Sequence, residues 1–373
     1  MAECVVCPAE LAPRTRGRVG SDLPNQLKIL LTADPEIRVP PDLYGGIERI
    51  VDALVRTYGA AGHEVGLVAR EGSASPAARF YPWSGGASRG TGNLLRNMKT
   101  LRKAVREFRP DVLHSFSRLA YMLPLLPTKL PKVMSYQRHT GGRQVALGSR
   151  LGGRTLLFTG CSEFICRQGR PSGGRWQAVH NFVEPEKFDF VPAVPVDAPL
   201  VFLSRLDRVK GADTAIAIAR RAGRKLILAG NHATQGPDYD YWKTAIEPQL
   251  GHDGIEYVGE VDDRVKNELL GRAAALLVPI RWDEPFGIVF AEALACGTPV
   301  ISSPRGALPE ILEEAKTGFL VRTEGEGVEA VRRLGELSRA ECRRAAEEKF
   351  SAAVCARAYL KDYSEMIEAC RRG

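Results

Sequence analysis

The chain has 373 residues, of which 44% are hydrophobic and 26% are charged, so it is longer than a single ordinary hydrophobic core requires. No uncharged apolar run approaches the roughly 18 residues of a membrane-spanning helix, which excludes an integral membrane protein. The formal net charge of +8 fits a nucleic acid, an anionic membrane or a phosphorylated substrate as partner, and it does not choose among them. We therefore expect two soluble globular domains.

The first 26 residues are predicted to be a disordered extension, because they contain arginines but no apolar segment typical of a secretory signal. A cytoplasmic location is the resulting expectation. Cys4 and Cys7 form a CxxC pair among eight scattered cysteines. Without a second pair or a folded context around this one, we expect no zinc or redox site there.

A first domain is predicted over residues 27–190. It opens with a strand at 27–32, a loop ending at Gly45 and Gly46, a helix at 47–60 and a strand at 62–69. A strand, a glycine loop and a helix in this order begin a doubly wound α/β domain, and such a loop faces a ligand. The alternative is that the two glycines only form a tight turn.

The next predicted helix is basic and amphipathic. Its apolar residues lie at positions 94, 98, 101, 105 and 108, which is the pattern of one helix face. The remaining surface carries five cations, which are Arg96, Lys99, Arg102, Lys103 and Arg106. We favour a solvated face, and a peripheral contact of residues 94–109 with an anionic membrane is the alternative.

Two further segments of the first domain supply candidate site residues at predicted strand ends. His114 ends a short apolar strand, and we interpret it as a hydrogen-bonded strand-end residue while keeping a catalytic role open. Arg138 and His139 follow another short strand. Because they should line the same edge of the sheet, they are candidates to face an anionic ligand or an acceptor.

A second domain is predicted over residues 191–350, after a proline-rich connection at 191–199. A strand at 200–203 leads into a loop that contains Arg205 and Lys210, followed by a helix at 212–222 and a strand at 225–229. Two cations beside a helix N-terminus at the end of a strand are suited to a diphosphate group.

The segment that follows an apolar strand at 273–280 contains two carboxylates, Glu284 and Glu292, across a predicted junction between a loop and a helix at 287–296. A helix N-terminus presents unpaired N–H groups to an anion, and Gly287 allows close approach of a ligand to the backbone. Eight helical residues would separate the glutamates by roughly 12 Å or less. That spacing suits the two ends of a folded nucleoside diphosphate sugar.

These residues carry a resemblance to a known family. The run from Glu284 through Gly287 to Glu292, with the Ala-Cys-Gly-Thr-Pro-Val sequence at 295–300, resembles the signature of family four retaining glycosyltransferases of the GT-B fold. The loop 204–211 is similar to the family's second motif, with Ser204 in place of its first glycine. The segment 109–114 resembles a third motif, but Phe116 stands where many members have a histidine.

The resemblance implies two Rossmann-like domains that face each other across a cleft, with the terminal helix at 351–373 crossing back to the first. It implies that Glu284 binds hydroxyls of the donor sugar and that Glu292 binds the ribose. The other implied donor-binding residues are Gly46, Arg205, Lys210, Val258, Phe286, Gly287 and Ile288. The implied reaction is attack on the same face of the sugar, with the leaving phosphate taking the proton of an acceptor hydroxyl and no cofactor involved.

Other functions stay open at this level. Asp238 and Asp240 match a metal-binding D-x-D pattern that is common by chance, and we expect no metal site. A nucleotide-sugar epimerase or a sugar phosphorylase on the same scaffold is an alternative within enzymes. A basic nucleic-acid-binding protein is the alternative outside them, although no helix-turn-helix, zinc-finger or aromatic RNA motif is present.

Overall fold

The computed structural model describes residues 26–42, 45–139 and 141–372. The predicted extension and its CxxC pair lie outside the described residues, apart from position 26. The described chain forms two parallel α/β domains. Within these ranges, no helix is both long and apolar enough to cross a membrane.

The first domain contains a sheet of seven parallel strands in the order β3-β2-β1-β4-β5-β6-β7. Its strands and helices are β1 (Lys28–Thr32), α1 (Gly46–Ala60), β2 (Glu64–Ala69), β3 (Arg79–Pro82), α2 (Thr91–Phe108), β4 (Val112–Ser115), β5 (Lys132–Tyr136), α3 (Gly142–Gly152), β6 (Leu156–Gly160), α4 (Glu163–Gly169) and β7 (Arg175–Ala178).

The second domain contains six parallel strands in the order β10-β9-β8-β11-β12-β13. Its elements, with the terminal helix, are β8 (Leu200–Leu203), α5 (Ala212–Arg221), β9 (Leu226–Ala229), α6 (Pro237–Tyr241), β10 (Ile255–Tyr257), α7 (Asp263–Arg272), β11 (Ala275–Val278), α8 (Ile288–Ala295), β12 (Val300–Ser302), α9 (Leu308–Ile311), β13 (Gly318–Leu320), α10 (Glu324–Arg332), α11 (Arg339–Lys349) and α12 (Ala352–Arg371).

The central strands of the second sheet are apolar along their whole length, as expected for a parallel sheet with both faces covered. Every residue of β8 and β11 is buried, and these two strands pair in parallel at the centre of the second sheet. The order of strands reverses between them, which is where open α/β sheets bind ligands. The predicted fold of two doubly wound domains is confirmed.

The chain reaches the second domain before the predicted connection at 191–199. The Val191 amide donates to the Cys296 carbonyl at 3.2 Å, and the Val191 carbonyl accepts from Arg339 Nε at 2.6 Å. Phe188 O accepts from Arg343 of α11 at 2.9 Å. The segment from 188 onward is therefore already fixed to the second domain, and the crossing lies between it and β7.

The terminal helix α12 packs on the first domain. Its Tyr359 and Tyr363 are buried in one cluster with Ile29 and Leu31 of β1 and Leu54 of α1. A helix that follows the second domain in sequence thus completes the core of the first.

The helix α2 uses its apolar stripe for packing. Leu101 and Phe108 are buried, and Leu94 and Val105 pack against the core from the edge. The five basic residues of the helix are exposed, and the Lys103 ammonium lies 3.9 Å from the Glu107 carboxylate. The face that remains open is charged rather than amphipathic.

Candidate active site between the two domains

A carboxylate held by two donors lies at the carboxyl edge of the second sheet. Glu284 Oε2 accepts from Lys210 Nζ at 2.6 Å and from Trp282 Nε1 at 2.9 Å. The side chains of Lys210 and Glu284 are only 13% and 11% exposed. Lys210 also lies over the Trp282 ring, 4.7 Å from its centroid. These contacts fix the side-chain orientations of Lys210, which is predicted to bind an anion, and of Glu284, which is predicted to bind a sugar.

Two glycines allow the loops of this cluster to approach each other. Gly211 has φ +78°, and a Cβ there would lie 2.2 Å from the Pro279 carbonyl oxygen. Gly306 has φ +59°, and a Cβ there would lie 2.2 Å from the Glu284 carbonyl oxygen. A side chain at either position would displace backbone, so only glycine brings the loops after β8 and β12 against the loop after β11.

The helix α8 begins directly after Gly287, which has φ +82°. The Phe286 side chain is 1% exposed and packs against His180 and Phe350, with ring centroids 5.9 Å and 5.8 Å away. Phe286 can therefore offer a ligand its backbone but not its ring. Ile288, the first residue of α8, is partly exposed and points towards the first domain.

Glu292, on α8, forms a second largely buried ion pair. Its Oε1 accepts from Lys266 Nζ of α7 at 2.6 Å, and Lys266 also lies 3.0 Å from Asp263. Burial lowers the pKa of Lys266, but the Glu292 and Asp263 carboxylates outweigh burial and raise it above its ordinary value. Sequence reasoning missed Lys266, because the pairing arises only when α7 packs beside α8.

The other predicted donor-binding residues lie at the ends of neighbouring strands. Arg205, after β8, is 58% exposed on its side chain and pairs with Asp207 at 2.8 Å. Val258, after β10, is 46% exposed. Both are accessible from the same edge of the sheet that carries Glu284.

The first domain meets this edge through its glycine loop. A Cβ on Gly46 would lie 3.1 Å from Ile288 Cδ1, so the N-terminus of α1 faces the N-terminus of α8. Three positions along α1, Arg49 pairs with Asp263 at 2.8 Å. The structure thus brings Gly46 to the second-domain side of the cleft, as a ligand-facing loop would require.

A second contact between the domains lies at α4. Glu310 accepts from the backbone N–H groups of Glu163 and Phe164 at 2.7 Å each, and from His180 at 3.1 Å. Ser162 Oγ donates to the Pro285 carbonyl at 2.6 Å. These bonds attach the loop of Glu284 to the first domain, and no feature of the sequence pattern indicated them.

Arg138 and His139 line a cavity of about 360 Å³ in the first domain, beside Phe116 and Ile47. His139 Nδ1 lies 2.7 Å from Gln168 Oε1. The cavity opens at the carboxyl ends of β1, β4 and β5, next to the N-terminus of α1. It is thus adjacent to the contact between Gly46 and Ile288 of the second domain.

His114 does not line this cavity. It is completely buried, with Nδ1 2.5 Å from the Tyr363 hydroxyl and Nε2 2.6 Å from Ser135 Oγ. Burial lowers its pKa to about 3. The catalytic role kept open from the sequence does not fit this position, because α12 covers the ring and both nitrogens are occupied.

Two family models match the chain. The model for Glycosyltransferase Family 4 matches residues 44–187, and the model for Glycosyl transferases group 1 matches residues 185–351. Together they span both domains and include each motif residue of the cleft. The chain belongs to the family 4 glycosyltransferases. It is an enzyme that transfers a sugar.

Known proteins similar to this glycosyltransferase agree with the assignment. Glycogen synthase of Mycobacterium tuberculosis is 27% identical over 335 residues, which cover 75% of this chain and 79% of that protein. Sucrose-phosphate synthase from Thermosynechococcus elongatus superposes with a TM-score of 0.72 at 19% identity, over 92% of this chain and 100% of that one. A structure of Anabaena HepE in complex with UDP and glucose gives a TM-score of 0.67 at 18% identity, over 91% and 99%. At these identities the two structures establish the fold alone.

Proposed function

We propose that this glycosyltransferase moves a sugar from a nucleoside diphosphate sugar to an acceptor hydroxyl with retention of the anomeric configuration. The observation that carries the proposal is the cluster of Glu284, Lys210 and Trp282 beside the N-terminus of α8. A buried carboxylate suits sugar hydroxyls, while cations and unpaired helix N–H groups suit a diphosphate. The UDP and glucose in the HepE neighbour support a donor of this class.

The donor would lie along the carboxyl edge of the second sheet. In this arrangement Glu292 accepts from the ribose hydroxyls, and Arg205 and Lys210 face the diphosphate, with the α8 backbone at Gly287 and Ile288. Val258 lies at the base end. Glu284 orients the sugar, and the 2.6 Å bond from Lys210 couples the sugar end to the phosphate end.

The proposed reaction breaks the bond between the anomeric carbon and the diphosphate oxygen, and the acceptor oxygen bonds to the same face of that carbon. The departing phosphate oxygen takes the acceptor proton, so atoms and charge balance without a further base. Arg205, Lys210 and the start of α8 would stabilise the charge that develops on the leaving group. Closure of the Gly46 loop over this site would exclude water.

We propose that the reaction needs no metal ion. Among the described residues, no group of three or more His, Cys, Asp or Glu side chains could hold a metal.

We also propose that the face of α2 is solvated. The packed apolar stripe of α2 leaves a basic face with Leu95 as its exposed large apolar residue, 58% exposed. A membrane contact there would be electrostatic and sensitive to salt.

A test supplies candidate donors with and without acceptors and measures release of nucleoside diphosphate. If the protein transfers a sugar, release of nucleoside diphosphate should depend on the acceptor and should be unchanged by EDTA. NMR of the product should show the same anomeric configuration as the donor. Epimerisation would instead interconvert donor sugars without release, and a phosphorylase would need inorganic phosphate. Loss of activity in EDTA that manganese restores would contradict the metal-free reaction and return attention to Asp238 and Asp240.

A further inference from the structure

The cavity of the first domain has a distinct charge pattern. Arg89 from the loop before α2, Arg118 from the loop after β4 and Arg138 from the loop after β5 all line it. Among the described residues, no carboxylate oxygen lies within 4.0 Å of the guanidinium nitrogens of these three arginines. The ion pairs of that length are formed by other arginines. By contrast, Arg205 and Lys210 on the donor side are each paired with a carboxylate.

A hydrogen-bond network fixes two of these arginine-bearing loops. Ser88 donates to Glu36 from its backbone N–H at 3.0 Å and from its hydroxyl at 2.5 Å, and its carbonyl accepts from the Arg118 guanidinium. The hydrogen bonds from Ser88 lower the pKa of Glu36, and the nearby charges of Arg89 and Arg118 lower it further, so this carboxylate stays charged. Arg118 is thereby oriented at the rim, while Arg138 makes no comparable bond to a described residue.

The inner wall of the cavity offers polar groups suited to hydroxyls. Asp34 Oδ1 and both amide atoms of Gln137 are buried and have no hydrogen-bond partner among the described residues. Burying such groups without partners is costly, so they are expected to bind a polar ligand. Burial also raises the pKa of Asp34 and of nearby Glu48, which weakens the negative charge opposing the arginines.

We propose that the acceptor is a small polyol or sugar that carries an anionic group, with Arg89, Arg118 and Arg138 binding the anion and Asp34 and Gln137 binding hydroxyls. The cavity of about 360 Å³ has the size of a small-ligand site. Ile47 lines it and Gly46 contacts Ile288, so a hydroxyl of the bound acceptor lies next to the donor side. This inference rests on the proposed function and specifies its second substrate.

The anion has two chemical sources, a phosphate or a carboxylate, and guanidinium groups bind both. The test uses the full chain with the donor that supports the highest release of nucleoside diphosphate. The acceptors tested are phosphates (hexose phosphates and inositol phosphates), carboxylates (hexuronates and gluconate), and the matched neutral sugars and inositol. The inference predicts that a charged acceptor gives kcat/KM at least tenfold above its neutral counterpart. The charged class with the higher kcat/KM identifies the anion as a phosphate or a carboxylate.

Arginine variants separate the cavity from a general charge effect. Arg138→Gln and Arg118→Gln should each raise KM for the charged acceptor at least tenfold and leave KM for the donor unchanged. Arg102→Gln on the exposed face of α2 is the matched control and should change neither. Binding of the charged acceptor to protein saturated with nucleoside diphosphate, measured by calorimetry, should weaken by the same factor.

The outcomes distinguish this inference from the proposed function. Turnover that is equal or better with neutral acceptors, or charged-acceptor kinetics unaffected by Arg138→Gln and Arg118→Gln, would overturn the inference and leave sugar transfer intact. Absence of donor binding and of nucleoside diphosphate release with every acceptor would overturn the proposed function and the inference with it.

Discussion

At the residue scale, the main addition to the sequence analysis is that the predicted site residues are paired with one another. Lys210 and Glu284 were predicted as separate contacts to phosphate and sugar, and they form one ion pair across 74 positions of sequence. Motif spacing could predict each residue, because each follows a buried strand at the same edge of a sheet. It could not predict their bond, which depends on the side-by-side packing of β8 and β11.

The buried position of His114 leads to a prediction about stability rather than catalysis. His114→Gln removes a ring whose two nitrogens bond to Tyr363 and Ser135, so it should lower the free energy of unfolding by about 1–3 kcal/mol. The catalytic constant per folded molecule should change by less than about threefold, since the ring is fully buried and does not line the cavity. Denaturant unfolding and initial rates on the same preparation provide the two readouts.

The pH dependence of His114 has a definite sign. Its folded pKa of about 3 lies below the ordinary value near 6.5, so the unfolded chain binds more protons between these values. The contribution of the neutral ring to stability is therefore complete above about pH 6.5 and is lost as the pH falls towards 3. The wild type should lose stability over this range more steeply than His114→Gln. A large loss of rate without a loss of stability would contradict the packing role.

At the scale of elements, the sequence predicted the units that have a local signal. The strands at 27–32, 200–203 and 273–280 are short apolar runs bounded by turn residues, and the structure contains β1, β8 and β11 there. The amphipathic helix at 94–108 is present as α2, starting three residues earlier at Thr91. Buried strands of parallel sheets are long enough and apolar enough to be recognised in this way.

Elements whose role depends on distant partners were not predictable from local pattern. Phe286 lies in a motif but packs inwards on His180 and Phe350, which come from other parts of the chain. The contact of Glu310 with the first turn of α4 joins residues about 150 positions apart. Periodicity contains no information about such contacts, and the position of α12 was available only from the family resemblance.

At the scale of the whole molecule, the two domains touch on both sides of the cleft. The Arg49–Asp263 pair is half exposed on both partners and contributes little on its own, so domain separation at this side is expected to be inexpensive. A nucleoside diphosphate that binds the loops on both sides should favour the closed arrangement. Small-angle scattering should then give a smaller radius of gyration at saturating ligand.

Charge reversal at this contact sharpens the test. Arg49→Glu places a like charge opposite Asp263 and should raise the radius of gyration of the free protein. Binding of the nucleoside diphosphate should bring the radius of gyration of the variant closer to that of the ligand-bound wild type. Lys99→Glu on the exposed face of α2 is the matched control. A radius that is the same with and without ligand, in both the wild type and Arg49→Glu, would indicate a cleft that is closed throughout.

The most direct test of the central claim, that the donor lies with its ribose at Glu292 and its sugar at Glu284, is calorimetric titration with the nucleoside diphosphate that stabilises the protein most. Glu292→Gln should weaken binding by about 1.5–3 kcal/mol, because a charged hydrogen bond is lost. Glu284→Gln should leave this affinity within about threefold while lowering the transfer rate. The control is Glu268→Gln, at an exposed position of α7. Loss of nucleoside diphosphate binding in Glu284→Gln, with normal binding in Glu292→Gln, would contradict the account.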